Sequence, residues 1–348
     1  MDPAGIFATS FEADAALVRT RRQWLALALF MILLIAVPWL ASSRLLAILT
    51  VMLISAVVAV GLQINTGYAG QINLGQAAFM GVGAYVAGAL AARWSLPFWL
   101  TIPLGGLAAA AFGFAFGLSA VRIKGFYLAL TTIAAQSLFH FSILNLPWFG
   151  GSNGVTLAPA NLFGIELSSD RSLYYMCLVF ATAMIYGAFG IVRGRHGRAF
   201  IAVRDDDVAA GMMGINVVRT KATAFLVGAF YAGIGGAMWA YFVRFVAVDQ
   251  FTLFHSIWFI AMIIVGGMGS ITGAIVGVFV IKAIQEIFVT LGPSLVSMIP
   301  SLGGDIVYSG MNVFLGGVIA AFLIFEPRGL MHRWNILKQS YRMWPFPY

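Results

Sequence analysis

Charge is the scarcest property of this sequence. Only 9% of its 348 residues are charged, whereas 61% are hydrophobic, and the mean hydropathy is +0.95. A soluble domain carries roughly 25% charged residues. A soluble protein this apolar could not cover its surface with polar groups, so the composition predicts an integral membrane protein with lipid as its solvent.

Cysteine and the common catalytic motifs are also scarce. Because Cys177 is the single cysteine, an intrachain disulfide is excluded, and this residue lies in an apolar run. No metal-ligand spacing occurs. The sequence has no zinc-protease helix, no nucleophile elbow and no phosphate-binding loop. We therefore expect no catalytic residues, no metal and no cofactor in this chain. Any use of ATP would belong to a partner. The apolar runs also lack the clustered His, Cys or paired carboxylates that an intramembrane enzyme would need.

Apolar runs follow one another from Trp24 to Phe325 without a long polar block. Their lengths predict an all-α integral membrane protein, a polytopic bundle of about ten transmembrane helices with Gly-interrupted segments. The expected spans are 24–41, 45–64, 74–92, 98–121, 125–145, 172–192, 222–243, 256–268, 273–291 and 306–325. We expect one transmembrane domain over 24–325, a cytoplasmic N-terminal segment over 1–23 and a cytoplasmic tail over 326–348.

The net charge is +8, and the basic residues lie in short stretches between the apolar runs. With the N-terminus inside and ten alternating spans, 15 Lys and Arg residues fall inside, 4 fall outside, and Lys282 lies within a span. The excess of basic residues on one side predicts that both termini are cytoplasmic. This distribution gives no basic face for nucleic acid, so membrane lipid is the expected surface partner.

Two Gly-rich segments interrupt the helical pattern, one in each half of the chain. The first covers residues 67–76 and the second covers residues 266–273. Such breaks in corresponding halves indicate a transport site, although cytoplasmic turns between hairpin helices would give the same pattern. The candidates for the translocation path are Gly67, Tyr68, Gly70, Gln71, Asn73, Gly75, Gln76, Gly266, Gly267, Gly269 and Ser270.

Two ionisable residues, Lys282 and Glu286, lie four apart in the ninth expected span. This spacing places both side chains on one helix face, where they can neutralise each other as an intramembrane ion pair. The alternative is that they line the translocation path.

The expected inner loop over 193–221 is the longest polar stretch on the cytoplasmic side. Acidic residues favour a helix start, so a short helix is expected to begin at the Asp205–Asp207 run and to end at Gly214. Val208, Met212 and Ile215 would share its apolar face. That face could fill a groove on a partner protein or lie on lipid headgroups.

Several stretches together resemble the LivM-type permease subunit of ATP-binding-cassette importers for branched-chain amino acids. The matching stretches are 67–75, 77–79, 81–85, 124–129, 150–154, 197–199, 204–216, 266–270 and 326–330. The resemblance covers about residues 24–330 and is specific as a set.

The resemblance implies a bacterial-type plasma (inner) membrane and several partners. These are a second permease subunit, two cytoplasmic ATPase subunits and an extracytoplasmic solute-binding protein. It also implies that the inner loop is an ATPase coupling loop, with the motif on Asp207, Ala209, Ala210 and Gly214. Asn73 and Gln76 stand where the family often has Ser and His, which bears on the solute.

By this resemblance the chain is expected to move small amino-acid-like solutes, branched-chain amino acids first, by alternating access. The alternative is an ATP-independent secondary transporter or channel for small polar solutes. It shares the broken spans but needs no ATPase, so co-purification of an ATPase discriminates the two.

Overall fold

The computed structural model describes residues 21–119, 123, 125–162, 165–298, 304–326 and 328–343. These residues form a helical bundle with two small pieces of sheet. In chain order the helices are α1 (Arg21–Leu40), α2 (Ser43–Leu62), α3 (Gln76–Trp94), α4 (Phe98–Ser119), α5 (Phe126–Asn145), α6 (Asp170–Arg193), α7 (Arg195–Asp205), α8 (Asp207–Met212), α9 (Val217–Val243), α10 (Leu253–Gly266), α11 (Ile271–Met298), α12 (Gly304–Phe325) and α13 (Leu330–Met343). A π-helical turn, Gln63–Tyr68, continues α2.

The expected all-α membrane fold is confirmed. Within the described ranges, nine helical stretches are long and apolar enough to cross a membrane. A tenth is possible if α12 and α13, which meet at a 44° bend, form one span. The eighth expected span, 256–268, begins earlier than predicted: the apolar span runs over Val248–Gly266 and includes a 3₁₀ turn over Val248–Gln250 before α10. The expected N-terminal segment 1–23 lies outside the described residues apart from the start of α1.

The strands lie at one end of the bundle, beside the start of α6 and the end of α9. Strand β1 (Val155–Thr156) pairs antiparallel with β4 (Phe245–Val246), and β2 (Ala160–Leu162) pairs antiparallel with β3 (Ile165–Leu167). The first pairing fastens the loop between α5 and α6 to the chain that leaves α9.

Helix α9 is the centre of the bundle and packs against α2, α3 and α4. Small residues allow this contact on two faces. One face meets α4, where a Cβ on Gly233 would lie 2.4 Å from Ala109 Cβ. The other meets α3, where a Cβ on Gly236 would lie 1.8 Å from the Met80 carbonyl oxygen. No larger side chain fits at either position, so glycine at 233 and 236 sets the close helix packing.

Candidate translocation and coupling site

The first Gly-rich segment leaves α2 through the π-helical turn and enters α3 at Gln76. The π-helical turn and this segment together have a high content of buried amide side chains: Gln63, Asn65, Gln71, Asn73 and Gln76 are each no more than 2% exposed. Gly70 has a φ of +69°, and a Cβ there would lie 2.6 Å from the Arg204 side chain. A turn that needs left-handed backbone against a neighbouring side chain requires glycine.

Two of these amides are held by internal hydrogen bonds. Asn73 Nδ2 donates to Gln76 Oε1 at 2.9 Å, and the Gly75 amide donates to Asn73 Oδ1 at 2.9 Å. Gln76 Nε2 donates to the Val58 carbonyl at 3.0 Å. In this conformation Asn73 and Gln76 therefore fix the start of α3 against α2.

The second Gly-rich segment is the turn between α10 and α11. Gly267 and Gly269 have φ values of +116° and +83°, and the Ser270 hydroxyl accepts a 3.1 Å bond from the Gly273 amide at the start of α11. The tail also reaches this turn, since a Cβ on Gly329 would lie 2.4 Å from Gly267 Cα.

The structure brings the two Gly-rich segments together. Gln63 Nε2 donates to the carbonyl oxygens of Gly267 at 3.0 Å and Ser270 at 3.1 Å. A Cβ on Gly67 would lie 2.9 Å from the Gly269 amide nitrogen. The segments, separated by about 200 residues in sequence, thus form one packed cluster.

Arg204, at the end of α7, connects this cluster to the inner loop. Its Nη1 donates to the Gly67 carbonyl at 3.0 Å, and its Nη2 lies 3.0 Å from Asp205 Oδ1. Both Gly-rich segments therefore lie at the end of the bundle that carries α7 and α8. Between Gly70, Gln71, Arg204 and Lys221 the surface has a cavity of about 330 Å³.

The inner loop forms the short helix that the Asp run predicts. The Asp206 side chain caps α8 by accepting bonds from the amides of Val208 at 2.9 Å and Ala209 at 3.0 Å. Asp207 Oδ2 lies 3.1 Å from Lys221 Nζ, and this ion pair fastens α8 to α9. Gly214 ends the segment with a φ of +83°.

Helix α8 presents an apolar tip to its surroundings. Val208, Met212 and Met213 are 64%, 86% and 83% exposed, whereas Ala210 is buried against the bundle. Ala209 is exposed beside this tip, and nothing lies within 4 Å of a Cβ built on Gly214. The arrangement is a small hydrophobic projection whose base is held by an ion pair and a cap.

The intramembrane ion pair requires a correction. Glu286 Oε1 lies 2.6 Å from Arg44 Nη2, and Arg44 also donates to Thr290 Oγ1 at 2.9 Å. Among the described residues, no carboxylate lies within 4.0 Å of Lys282. Arg44, at the start of α2, reaches Glu286 across the helix pair, and sequence spacing on α11 alone could not show this.

Sequence reasoning missed three residues of the cluster. Gln63 joins the Gly-rich segments, Arg204 joins them to the inner loop, and both amide atoms of buried Asn65 have no hydrogen-bond partner among the described residues. The available signal was the polar run Gln63–Asn65–Thr66 at the end of an apolar span. No group of three metal-binding side chains occurs in the part of the chain that the structure describes.

Comparison with known proteins relates the sequence of this chain to one family. A family described as "Branched-chain amino acid transport system / permease component" matches residues 44–324. The high-affinity branched-chain amino acid transport system permease protein LivM of Escherichia coli is 29% identical over 337 residues, covering 90% of this chain and 76% of LivM. The high-affinity branched-chain amino acid transport system permease protein BraD of Pseudomonas aeruginosa is 25% identical, covering 81% of this chain and 93% of BraD.

A second type of permease is also similar. LivH of Salmonella typhimurium is 25% identical over 251 residues, covering 64% of this chain and 77% of LivH. No solved structure matches the chain. Because the family match extends through the helices that build the Gly-rich cluster and the inner loop, the chain belongs to the permease components of branched-chain amino acid transport systems, the membrane-spanning subunits of ATP-binding-cassette importers.

Proposed function

We propose that this chain pairs with a second permease subunit and that the apolar tip of α8 docks on a cytoplasmic ATPase subunit. The observation that carries the proposal is the continuous contact from α8 to the Gly-rich cluster. Asp207 fastens α8 to α9, and Arg204, two residues before the cap residue Asp206, bonds to Gly67. Movement of α8 by a partner would therefore act directly on the segment that connects α2 to α3.

The exposed methionines suit such a docking role. Met side chains are flexible and polarizable and are common at binding surfaces. Three exposed apolar residues at the tip of a six-residue helix are costly in water and are better explained by a partner groove than by solvent. A secondary transporter would have no use for this projection.

The remaining partners follow from the same assignment. Relatives of both the LivM and LivH types match this chain, which supports pairing between two similar but different permeases. Two ATPase subunits would supply ATP hydrolysis, and an extracytoplasmic binding protein would deliver the solute. The names of the relatives favour a branched-chain amino acid as that solute. The distribution of Lys and Arg supports a cytoplasmic position for α8 and for both termini.

Substitution Met212→Glu tests the docking role without disturbing the fold, because this side chain is 86% exposed. The complex would be reconstituted in liposomes and assayed for ATP-driven leucine uptake and for retention of the ATPase subunits. We expect loss of uptake together with loss or uncoupling of the ATPase. The matched control is Leu337→Glu on α13, which is 62% exposed and places the same charge away from α8.

Normal uptake by Met212→Glu would contradict the docking role of α8. Purification of the wild-type complex in mild detergent, followed by mass spectrometry, tests the partner set. Recovery of this chain alone under several mild detergents would contradict the importer assembly.

A further inference from the structure

A second polar feature lies at the opposite end of the bundle from α8. A cavity of about 500 Å³ opens between α2, the end of α9, α10, α11 and α12. Its polar side chains come from α10, α11 and α12: His255, Lys282, Gln285, Glu286 and Asn312. Its apolar wall includes Phe254, Trp258, Phe259 and Met262. A volume of this size, apolar walls and a few convergent polar groups are typical of a small-molecule site.

This face differs from a lipid-facing surface. The part of α1 from Trp24 to Leu40 contains no charged or amide side chain, and only 6% of the apolar span Gln23–Leu40 is buried. The face around the cavity instead has a half-buried lysine, an exposed histidine and two amides. Ionisable side chains inside a membrane almost always face a watery cavity or protein and mark solute paths.

Lys282 is the residue that needs a partner. Glu286 is already bonded to Arg44, so the ammonium group of Lys282 has no carboxylate within 4.0 Å among the described residues. An unpaired charge in this setting is costly, and a ligand oxyanion would relieve the cost. The amide oxygens of Gln285 and Asn312 in the same cavity can accept hydrogen bonds from a ligand ammonium group.

We propose that this cavity is a station on the solute path and binds the carboxylate of a small apolar amino acid through Lys282. The aromatic wall with Trp258 would receive the solute's side chain. This inference rests on the proposed transport function, and it adds the groups that recognise the solute at the end opposite the Gly-rich cluster.

Cysteine accessibility tests whether the cavity holds water. Cys177, the single cysteine, is fully buried and gives a low background. Gln285→Cys would be treated with a membrane-impermeant, charged thiol reagent, with Ile257→Cys on the outer side of α10, 48% exposed, as the control. We expect reaction at 285 to be about tenfold faster than at 257, because charged reagents are excluded from lipid. We also expect leucine to slow it.

Substitution of the lysine tests recognition. In the reconstituted whole complex, Lys282→Gln should lower ATP-driven leucine uptake about tenfold, the scale of one lost charge-assisted hydrogen bond. Lys282→Arg should retain most of it. The control is Lys338→Gln, the same chemical change on exposed α13. Retention of all partner subunits on purification should be the same in the three variants, which separates a recognition defect from misfolding.

The outcomes separate this inference from the proposed function. If the wild-type complex shows no ATP-driven uptake, the proposed function fails. If the wild type transports while Lys282→Gln transports equally well and position 285 is unreactive, only the solute station is overturned. Native mass spectrometry tests whether the cavity binds lipid instead. If an anionic phospholipid is bound to the wild type and not to Lys282→Gln, while uptake is unchanged, the cavity is a lipid site and the solute station is overturned.

Discussion

The guanidinium group of Arg204 donates a 3.0 Å hydrogen bond to the carbonyl oxygen of Gly67. This bond joins the end of α7 to the first Gly-rich segment. Because Arg204 also packs against Gly70, the arginine supports the turn on both sides. The inner loop and the two Gly-rich segments are thus parts of one contact network.

Arg204→Met should keep most of the packing of the side chain and remove the bond. A charged hydrogen bond contributes about 1.5–3 kcal/mol, so we expect a lower unfolding temperature in detergent and weaker coupling of ATP hydrolysis to uptake. The control is Arg219→Met at the exposed start of α9. Equal coupling ratios in the two variants would show that the bond to Gly67 has no part in transmission.

Gly236→Ala should severely reduce the amount of folded protein. Its Cβ would lie 1.8 Å from the Met80 carbonyl oxygen, and backbone cannot yield as a flexible side chain does. Overpacking costs about 1–3 kcal/mol even where neighbours can shift. Gly190→Ala is the control, since nothing lies within 4 Å of its Cβ, and it should be neutral or stabilising. Membrane abundance and thermal stability in detergent measure both variants.

Gln63→Leu should separate the two Gly-rich segments. The change leaves the carbonyls of Gly267 and Ser270 without their shared donor, at a cost of about 1–3 kcal/mol. Gln339→Leu on exposed α13 is the control. Hydrogen exchange of amides in the turn between α10 and α11 should rise in the first variant alone. Unchanged protection in that turn would be inconsistent with the contact.

A pair of double-mutant cycles distinguishes the two possible partners of Glu286. The cycle of Glu286→Gln with Arg44→Gln should give a coupling energy of about 0.5 kcal/mol, because the arginine side chain is 61% exposed and solvent weakens the pair. The cycle with Lys282→Gln should give a smaller value. A larger coupling energy for Glu286 with Lys282 than for Glu286 with Arg44 would support the pairing within α11. Thermal unfolding in detergent provides the energies.

Removal of the cap should loosen α8 without unfolding the bundle. Asp206→Ala loses the side-chain bonds to two amides, and such caps contribute about 0.5–2 kcal/mol. We expect faster hydrogen exchange at Val208 and Ala209. Asp206→Ser should restore much of the protection, because serine also caps helices. Equal exchange rates in the alanine and serine variants would argue against the cap.

Local patterns predicted the parts of the fold that depend on local physics. Apolar length gave the spans, and the Asp run with Gly214 gave the start and end of the α8 segment. These features depend on burial in lipid, capping and backbone freedom, each of which acts over a few neighbouring residues.

Contacts between distant segments could not be predicted in the same way. Arg44 and Glu286 are 242 positions apart, and Arg204 and Gly67 are 137 apart. One sequence gives no register between such segments. In the sequence, the residues of the π-helical turn are indistinguishable from the end of an ordinary apolar helix. The burial of Asn65 was therefore not predicted. The coupling and path residues remain predictions that the experiments above can test.

Helix α9 runs unbroken over 27 residues, a length of about 40 Å at 1.5 Å per residue. Lys221 near its first turn holds α8, and the chain leaving its last turn pairs through β4 with the loop that follows α5. A continuous helix of this length moves largely as one element, so a small tilt at one end displaces the other end. A spectroscopic probe on β1 should therefore report events that begin at α8.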